Sequence, residues 1–453
     1  MNRNAAPNLP LKRIYHTWWP LAASWLLMGA ELPALSAIVA RLADPEINLA
    51  AYGGIVFPLA LIIESPVIML LPASTALCKD WASYRKIWRF MMVTSAAMTA
   101  LHVLVAFTPL YDWVVIYVIG APAEIIQPAR IGLMIMTPWT WSIAYRRFNQ
   151  GVLIRFGHTQ TISVGTVIRL SVDGLVLASG YLIGSIPGVV VATSAVAASV
   201  VSEAVYVGRV VRPVLKRELQ PAPAVQPPLT LRAFLDFYFP LAMTSLLTLL
   251  VNPIGSAAVS RMPQALTSLA AWPVVMGLLF MLRSLGIAYN EVVVALLDEP
   301  RSSYNLRRFT GYLAAATTAA LFLLTATPLS ALWFERVAAL SPQLASLARL
   351  ALWIALPMPA LSVLQSWYQG AILHDRRTRG ITEAVVVFLV VSGVVLMIGI
   401  RLGTLTGLYV GMFALVFSTL IQTAWLWLRS QPARQAVVER DRNLVGAEVS
   451  AAD

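Results

Sequence analysis

Apolar residues in this chain come in long continuous blocks, not in the one-sided stripe of a surface helix or the alternation of a half-buried strand. Crossing a bilayer takes about 20 such residues in a helix. Twelve blocks of suitable length can be drawn, at 16–40, 50–77, 89–108, 125–144, 160–183, 186–208, 233–258, 266–297, 309–327, 344–366, 381–400 and 404–428. The pattern predicts an all-α membrane protein with twelve transmembrane helices. The first block follows Lys12 and Arg13 in the manner of a signal peptide, but it is long, carries Glu31 and Pro33, and leads into no polar domain. It is expected to be retained.

Composition sharpens this reading. Of 453 residues, 58% are hydrophobic and 12% charged, with mean hydropathy +0.74, where a soluble domain has roughly a quarter charged. The net charge of +12 would by itself admit nucleic acid as a partner. Its distribution argues otherwise. The N-terminus, the loops near Lys79, Arg146, Lys216, Arg307 and Arg376, and the C-terminal tail hold 25 of the 33 Lys and Arg, the opposite side holds six, and Arg169 and Arg283 fall inside spans. That asymmetry predicts a multi-pass protein of an inner-membrane type of cell membrane, with both termini cytoplasmic. The single cysteine, Cys78, excludes an intramolecular disulfide or a paired-Cys metal site, and no His is followed by Glu. No Lys follows Gly, so there is no P-loop. No enzyme, cofactor or metal is expected, and an ATP-driven pump would need a second chain.

The proline-bearing polar stretch 211–231 reads as a linker between an N-lobe (1–210, spans 1–6) and a C-lobe (232–428, spans 7–12), with a disordered cytoplasmic tail at 429–453. The two lobes repeat one another. At an offset of 220 residues, Trp19–Arg41 aligns with Phe239–Arg261 at 10 identities in 23 positions, among them Pro20/Pro240, Pro33/Pro253, Ser36/Ser256 and Arg41/Arg261. At 219 the register continues through Thr108-Pro109-Leu110, Pro138 and Gln150-Gly151, paired with Thr327-Pro328-Leu329, Pro357 and Gln369-Gly370. Glycines 180, 184 and 188 align with 399, 403 and 407, and the ladders 180/184/188 and 403/407/411 have the spacing of close helix packing. Six spans per repeat is an even number, so the halves share one orientation about an axis along the membrane normal.

This duplication, the proline-bearing first helix, the Leu49-Ala50-Ala51-Tyr52 segment and the Arg146–Thr159 stretch resemble the MATE-like exporters of the multidrug/oligosaccharidyl-lipid/polysaccharide flippase superfamily. Gly29-Ala30-Glu31-Leu32, Leu49–Gly53 and Phe239-Pro240-Leu241-Ala242 leading to Val259-Ser260-Arg261 also look like the progressive ankylosis family. The first resemblance implies a V-shaped, two-lobe monomer that exports organic solutes against H+ or Na+; the second implies export of pyrophosphate, nucleotide or citrate-like anions. A departure is that the Asp carried in the first helix of many MATE exporters falls here at about Leu35, with Glu31 one turn earlier.

Ionisable groups inside spans are costly and default to functional candidates. Glu203, Glu291 and Glu383 lie near span ends and are expected to be solvated. Glu31, Glu64, Arg169, Asp173 and Arg283 remain. Glu31 stands two residues before Pro33, where it either titrates at a kink or is hydrogen-bonded to a neighbouring helix. Glu64 lies within one register step of the equivalent of Arg283, so the lobes carry opposite charges at nearly one depth: a gate-closing pair, two ends of a substrate site, or two separate intralobe contacts. Arg169 and Asp173, four apart, read as an intrahelical salt bridge, or, beside a cavity, as an anion attractor and a titrating acid. Asn252, Tyr52, Trp272, Tyr289 and Asn290 are candidate neutral lining groups. Pro20, Pro33, Pro240 and Pro253 are candidate hinges, and Gln150-Gly151 and Gln369-Gly370 read as turns in basic loops. The expectation is a secondary active exporter of an organic cation or anion working within membrane lipid, with ankylosis-type anion export and lipid-linked flipping as alternatives.

Overall fold

The computed structural model describes residues 9–375 and 379–450; Arg3, Arg376 and Arg377 of the basic set and residues 451–453 of the tail lie outside them. All regular structure among the described residues is helical. The first six long helical elements are α1 (Leu11–Val39), α2 (Pro45–Leu77), α3 (Trp81–Phe107), α4 (Ala123–Ile135 with Thr137–Arg155), α5 (Thr159–Ile183) and α6 (Gly188–Leu219). The second six are α7 (Leu231–Val259), α8 (Ala265–Leu296), α9 (Ser302–Ala326), α10 (Pro342–Ile354 with Met358–His374), α11 (Arg379–Leu402) and α12 (Gly407–Ser450). Ten are long and apolar enough to cross a membrane, and the α10 pair, bent by 43°, is an eleventh. The twelfth position belongs to α4, which is broken like its counterpart: its second segment buries Arg146, Asn149 and Gln150 and so loses the apolar signature. The protein is an integral multi-pass membrane protein.

The repeat is visible in backbone detail. Short π turns at Trp113–Ile119 and Leu332–Val337 start at the 219-residue offset, and left-handed residues recur at Gly120 and Ala339 and at Gly184 and Gly403. Asp44 and Gln264, also left-handed, still obey the 220 offset. The change of register falls between them and the rest, and the π turn Ala51–Val56 lies there in α2, where α8 runs on uninterrupted. A π turn closes on the fifth residue instead of the fourth. It therefore absorbs the one extra residue of the first half.

Two expectations need correction, and a third gains a second role. Gln150-Gly151 and Gln369-Gly370 lie inside the second segments of α4 and α10, not in turns. Their glycines are contact points: a Cβ on Gly151 would strike Ser74 and the Leu71 carbonyl, and one on Gly370 would lie 2.6 Å from Val293 Cγ1. The glycine ladders combine close packing with helix boundaries: a Cβ on Gly180 would strike Val191 and one on Gly188 would lie 2.8 Å from Val39 Cγ1, while α5 ends before left-handed Gly184 and α6 begins at Gly188. The tail, expected to be disordered, continues α12 as helix to Ser450. Arg440 fastens it by donating to the carbonyls of Leu297 and Glu299 at 2.9 and 3.1 Å, and Asp441 accepts from the Ser303 amide at 2.9 Å.

By contact the chain forms two compact units, one of residues up to Ala34 together with Pro273 onward, the other Leu35–Trp272. The boundaries fall inside α1 and α8 instead of at the linker, because the first helix of each repeat packs on the second and third helices of the other. Within the first unit the Trp18 indole donates to the Leu285 carbonyl at 2.9 Å and its ring meets Phe309 at 5.7 Å. Within the second, the Tyr238 hydroxyl donates to the Pro66 carbonyl and its ring meets Phe90 at 5.1 Å. Trp18 and Tyr238 are repeat equivalents, as are Leu285 and Pro66, and Phe309 and Phe90. The linker is tied into the second unit: Asp80 caps α3, accepting from the Ser83 amide at 2.8 Å, and its other oxygen accepts from the Val225 amide at 2.8 Å. Lys86 donates to the Leu229 carbonyl at 2.6 Å.

Candidate functional site

The unit Leu35–Trp272 holds a buried cluster of charge. Glu203 on α6 is 1% exposed. It accepts from Arg146 on α4, from Gln150 Nε2 at 2.9 Å, and pairs with Arg169 Nε of α5 at 3.5 Å. The expectation that Glu203 is solvated is therefore wrong. Its helix continues to Leu219, so its position is well inside the element, and three donors from two neighbouring helices offset the cost of burying the carboxylate. Glu64 on α2 is 3% exposed, its Oε2 has no hydrogen-bond partner among the described residues, and it feels the positive charges of Arg146 and Arg147. Asp173, buried on α5, lies one turn beyond Arg169, whose guanidinium reaches across to α6.

The other unit holds a cavity of about 250 Å³ between α1, α8 and α10. Arg283, Asn290 and Glu291 of α8 line it with Gln365 and Gln369 of α10, and Trp25 of α1 contributes an aromatic wall. Arg283 Nε donates to Ser362 Oγ at 2.8 Å, and no carboxylate pairs with this guanidinium among the described residues. Asn290 Nδ2 donates to the Ser366 carbonyl at 3.2 Å, and Gln365 Nε2 to Gln422 Oε1 at 3.0 Å.

The remaining predicted residues are placed as follows. Glu31 begins the second segment of α1, after a one-residue interruption at Ala30, and is half-buried. Pro33 supplies no N–H for the Gly29 carbonyl, and it packs where a Cβ on Gly277 would lie 3.0 Å from its ring. Pro20 lies within the first segment of α1, and Pro240 and Pro253 within an unbroken α7. Tyr52 is buried in its π turn, stacked on Phe57 at 5.7 Å. Tyr289 is buried, donating to the Leu306 carbonyl at 2.8 Å. Trp272 is half-buried, and Asn252 is exposed and bonded only locally, to the Leu249 carbonyl at 3.3 Å. Glu383, placed near a span end, takes Arg429 Nε at 2.6 Å and Arg379 at 3.2 Å. Of the predicted set, the fold brings Glu64, Arg169 and Asp173 into one unit and Arg283 and Asn290 into one cavity. Sequence reading missed Arg146, Gln150 and Glu203 as a buried site, and Trp25, Ser362, Gln365 and Gln422.

No protein-family model matches the chain, and no curated protein matches it in sequence. Solved structures do. An inward-facing multidrug resistance MATE family transporter of the MOP superfamily has 14% identity and a TM-score of 0.67, over 92% of this chain and 99% of that one. The chain has the MATE fold. A Vibrio cholerae MATE transporter follows at 17% identity and a TM-score of 0.63, over 94% and 97% of the two chains. The lipid II flippase MurJ, in an inward closed conformation, is similar at 14% identity and a TM-score of 0.64, over 94% and 91%. Each of these likenesses spans more than nine tenths of the chain.

Proposed function

We propose that the protein is a secondary active transporter that exports an organic solute by alternating access and draws its energy from an H+ or Na+ gradient. The observation that carries this reading is a MATE fold over nearly the whole chain, with one compact unit containing a polar cavity and the other a buried cluster of titratable groups. Buried ionisable residues in a membrane interior mark substrate and ion pathways. Glu64, with an oxygen unbonded and two arginines near, is suited to exchange a coupling ion, whereas Glu203 is held by its three donors. The likeness to a lipid II flippase supports lipid-linked flipping as a second reading. Purified protein in liposomes tests both: a cationic dye, an amphoteric acid, pyrophosphate and citrate are offered under imposed H+ or Na+ gradients, beside a fluorescent lipid-linked substrate. Gradient-dependent flux of a soluble solute supports export, lipid scrambling alone supports flipping, and neither removes the transport reading.

A further inference from the structure

The two halves treat the same positions differently, and the difference leaves one charge uncompensated. At the 219-residue offset Glu64 corresponds to Arg283, Arg146 to Gln365, Arg147 to Ser366, Gln150 to Gln369 and Glu203 to Gln422. In the first half these positions hold carboxylates and guanidiniums together, with Arg146 on Glu203. In the second, the Arg146–Glu203 ion pair is replaced by the amide pair Gln365–Gln422, 3.0 Å apart. Both acids are gone and one new cation, Arg283, stands where Glu64 stood. Its Nε is fixed by Ser362 at 2.8 Å. The two terminal nitrogens form the planar fork that matches a carboxylate, on the wall of a cavity whose other lining is amides and hydroxyls with Trp25, Ile287 and, farther along α8, Glu291. Arg283 is half-buried; a guanidinium partly withdrawn from water without a counter-ion is costly, and a ligand that brings one recovers part of that cost.

Glu291 lines the same cavity and is exposed, with no cation in ion-pair distance among the described residues. It lies eight residues beyond Arg283, about 12 Å along the helix at 1.5 Å per residue. A second negative charge on the solute would meet it unfavourably, and an ammonium would meet it favourably. We infer that this cavity binds an organic solute by its carboxylate on Arg283, with Glu291 selecting a cationic or neutral far end over a polyanion. The inference deepens the transport reading and relies on it only for the solute's fate, since binding needs no gradient.

The test uses the full chain in lipid nanodiscs and dansyl fluorescence. Nα-dansyl-lysine carries a carboxylate and a distant ammonium, its methyl ester lacks the carboxylate, and dansylglycine lacks the ammonium. The acid is expected to bind at least tenfold more tightly than its ester. Arg283→Gln should abolish that ratio and Arg283→Lys should keep part of it, with thermal unfolding of each variant reporting its fold. Glu291→Gln should narrow the advantage of Nα-dansyl-lysine over dansylglycine and let pyrophosphate compete better. Equal binding of acid and ester, no saturable binding of the acid, or a tenfold ratio surviving in folded Arg283→Gln would overturn the assignment to Arg283. Stronger binding of pyrophosphate than of the dansyl acids by the unmodified protein would overturn the role given to Glu291. Acid-selective binding without flux would remove transport and leave this site standing; flux without acid selectivity would do the reverse.

Discussion

Arg146 of α4 is hydrogen-bonded to Glu203 of α6 in the interior of one unit, and 219 residues on Gln365 donates to Gln422 at 3.0 Å in the other. One duplicated contact is thus ionic in one half and neutral in the other. Breaking a buried ion pair from one side leaves the partner charged and unpaired, at about 3–5 kcal/mol. Glu203→Gln should therefore lower the thermal unfolding midpoint sharply. Adding Arg146→Gln, which copies the second half, should restore much of the loss. Additive losses in the double variant would show that the two side chains do not depend on each other.

The interlocked aromatic contacts make a second prediction. Tyr238→Phe removes the hydroxyl bonded to the Pro66 carbonyl and Trp18→Phe the indole N–H bonded to the Leu285 carbonyl, while both keep a ring on Phe90 or Phe309. Each should cost about 1 kcal/mol, the net worth of one hydrogen bond. The two effects should also add, because the contacts share no residue. Chemical denaturation in detergent measures this.

The glycines separate close approach from helix propensity. Gly151→Ala pushes a methyl group into Ser74 and the Leu71 carbonyl, and Gly370→Ala one into Val293. Overpacking of that kind costs about 1–3 kcal/mol or more. Nothing lies within 4 Å of a Cβ at Gly174, Gly311 or Gly393. Alanine at those three should be neutral or stabilising by up to about 1 kcal/mol.

Asp80 ties the linker to the cap of α3, and its protonation should release it. Burial raises the pKa of this carboxyl, but hydrogen bonds from Ser83 and the Val225 amide, with Lys86 near, outweigh it and hold the value below the ordinary one. The group is depressed in the folded state, so its contribution is complete above the unfolded value of about 3.9. That contribution disappears as pH falls through the lower folded value. Limited proteolysis of the 220–230 linker between α6 and α7 should accelerate in that acid range, and in Asp80→Asn already at neutral pH. Equal linker cleavage in both proteins across the range would contradict the tether.

Much of the fold is legible in the sequence because burial in lipid imposes long apolar runs, and the duplication adds a second copy of each signal. The fourth elements were the hardest to read, since Arg146, Asn149 and Gln150 look like a cytoplasmic loop when hydropathy alone is followed. They form a helix inside the protein, where Arg146 and Gln150 donate to Glu203 and Asn149 Nδ2 donates to the Tyr145 carbonyl. Glu203 misled for the same reason: distance from a span end says nothing about donors on two other helices. The signal that could have found the pair was in the repeat alignment, where Arg146 changes to Gln365 and Glu203 to Gln422 together. Arg283 could be singled out as an intramembrane charge. Its lack of a counter-ion required the packing of α8 on α10.

Coupling is the central claim, and one measurement meets it directly. Liposomes containing the purified chain are given a defined pH or Na+ gradient, and entry of Nα-dansyl-lysine is followed with and without Glu64→Gln. The account predicts accumulation above the outside concentration in one gradient direction, reduced to passive equilibration in Glu64→Gln with binding retained. Accumulation of equal extent in the variant, or no accumulation of this or any of the other solutes by the unmodified protein, would contradict it.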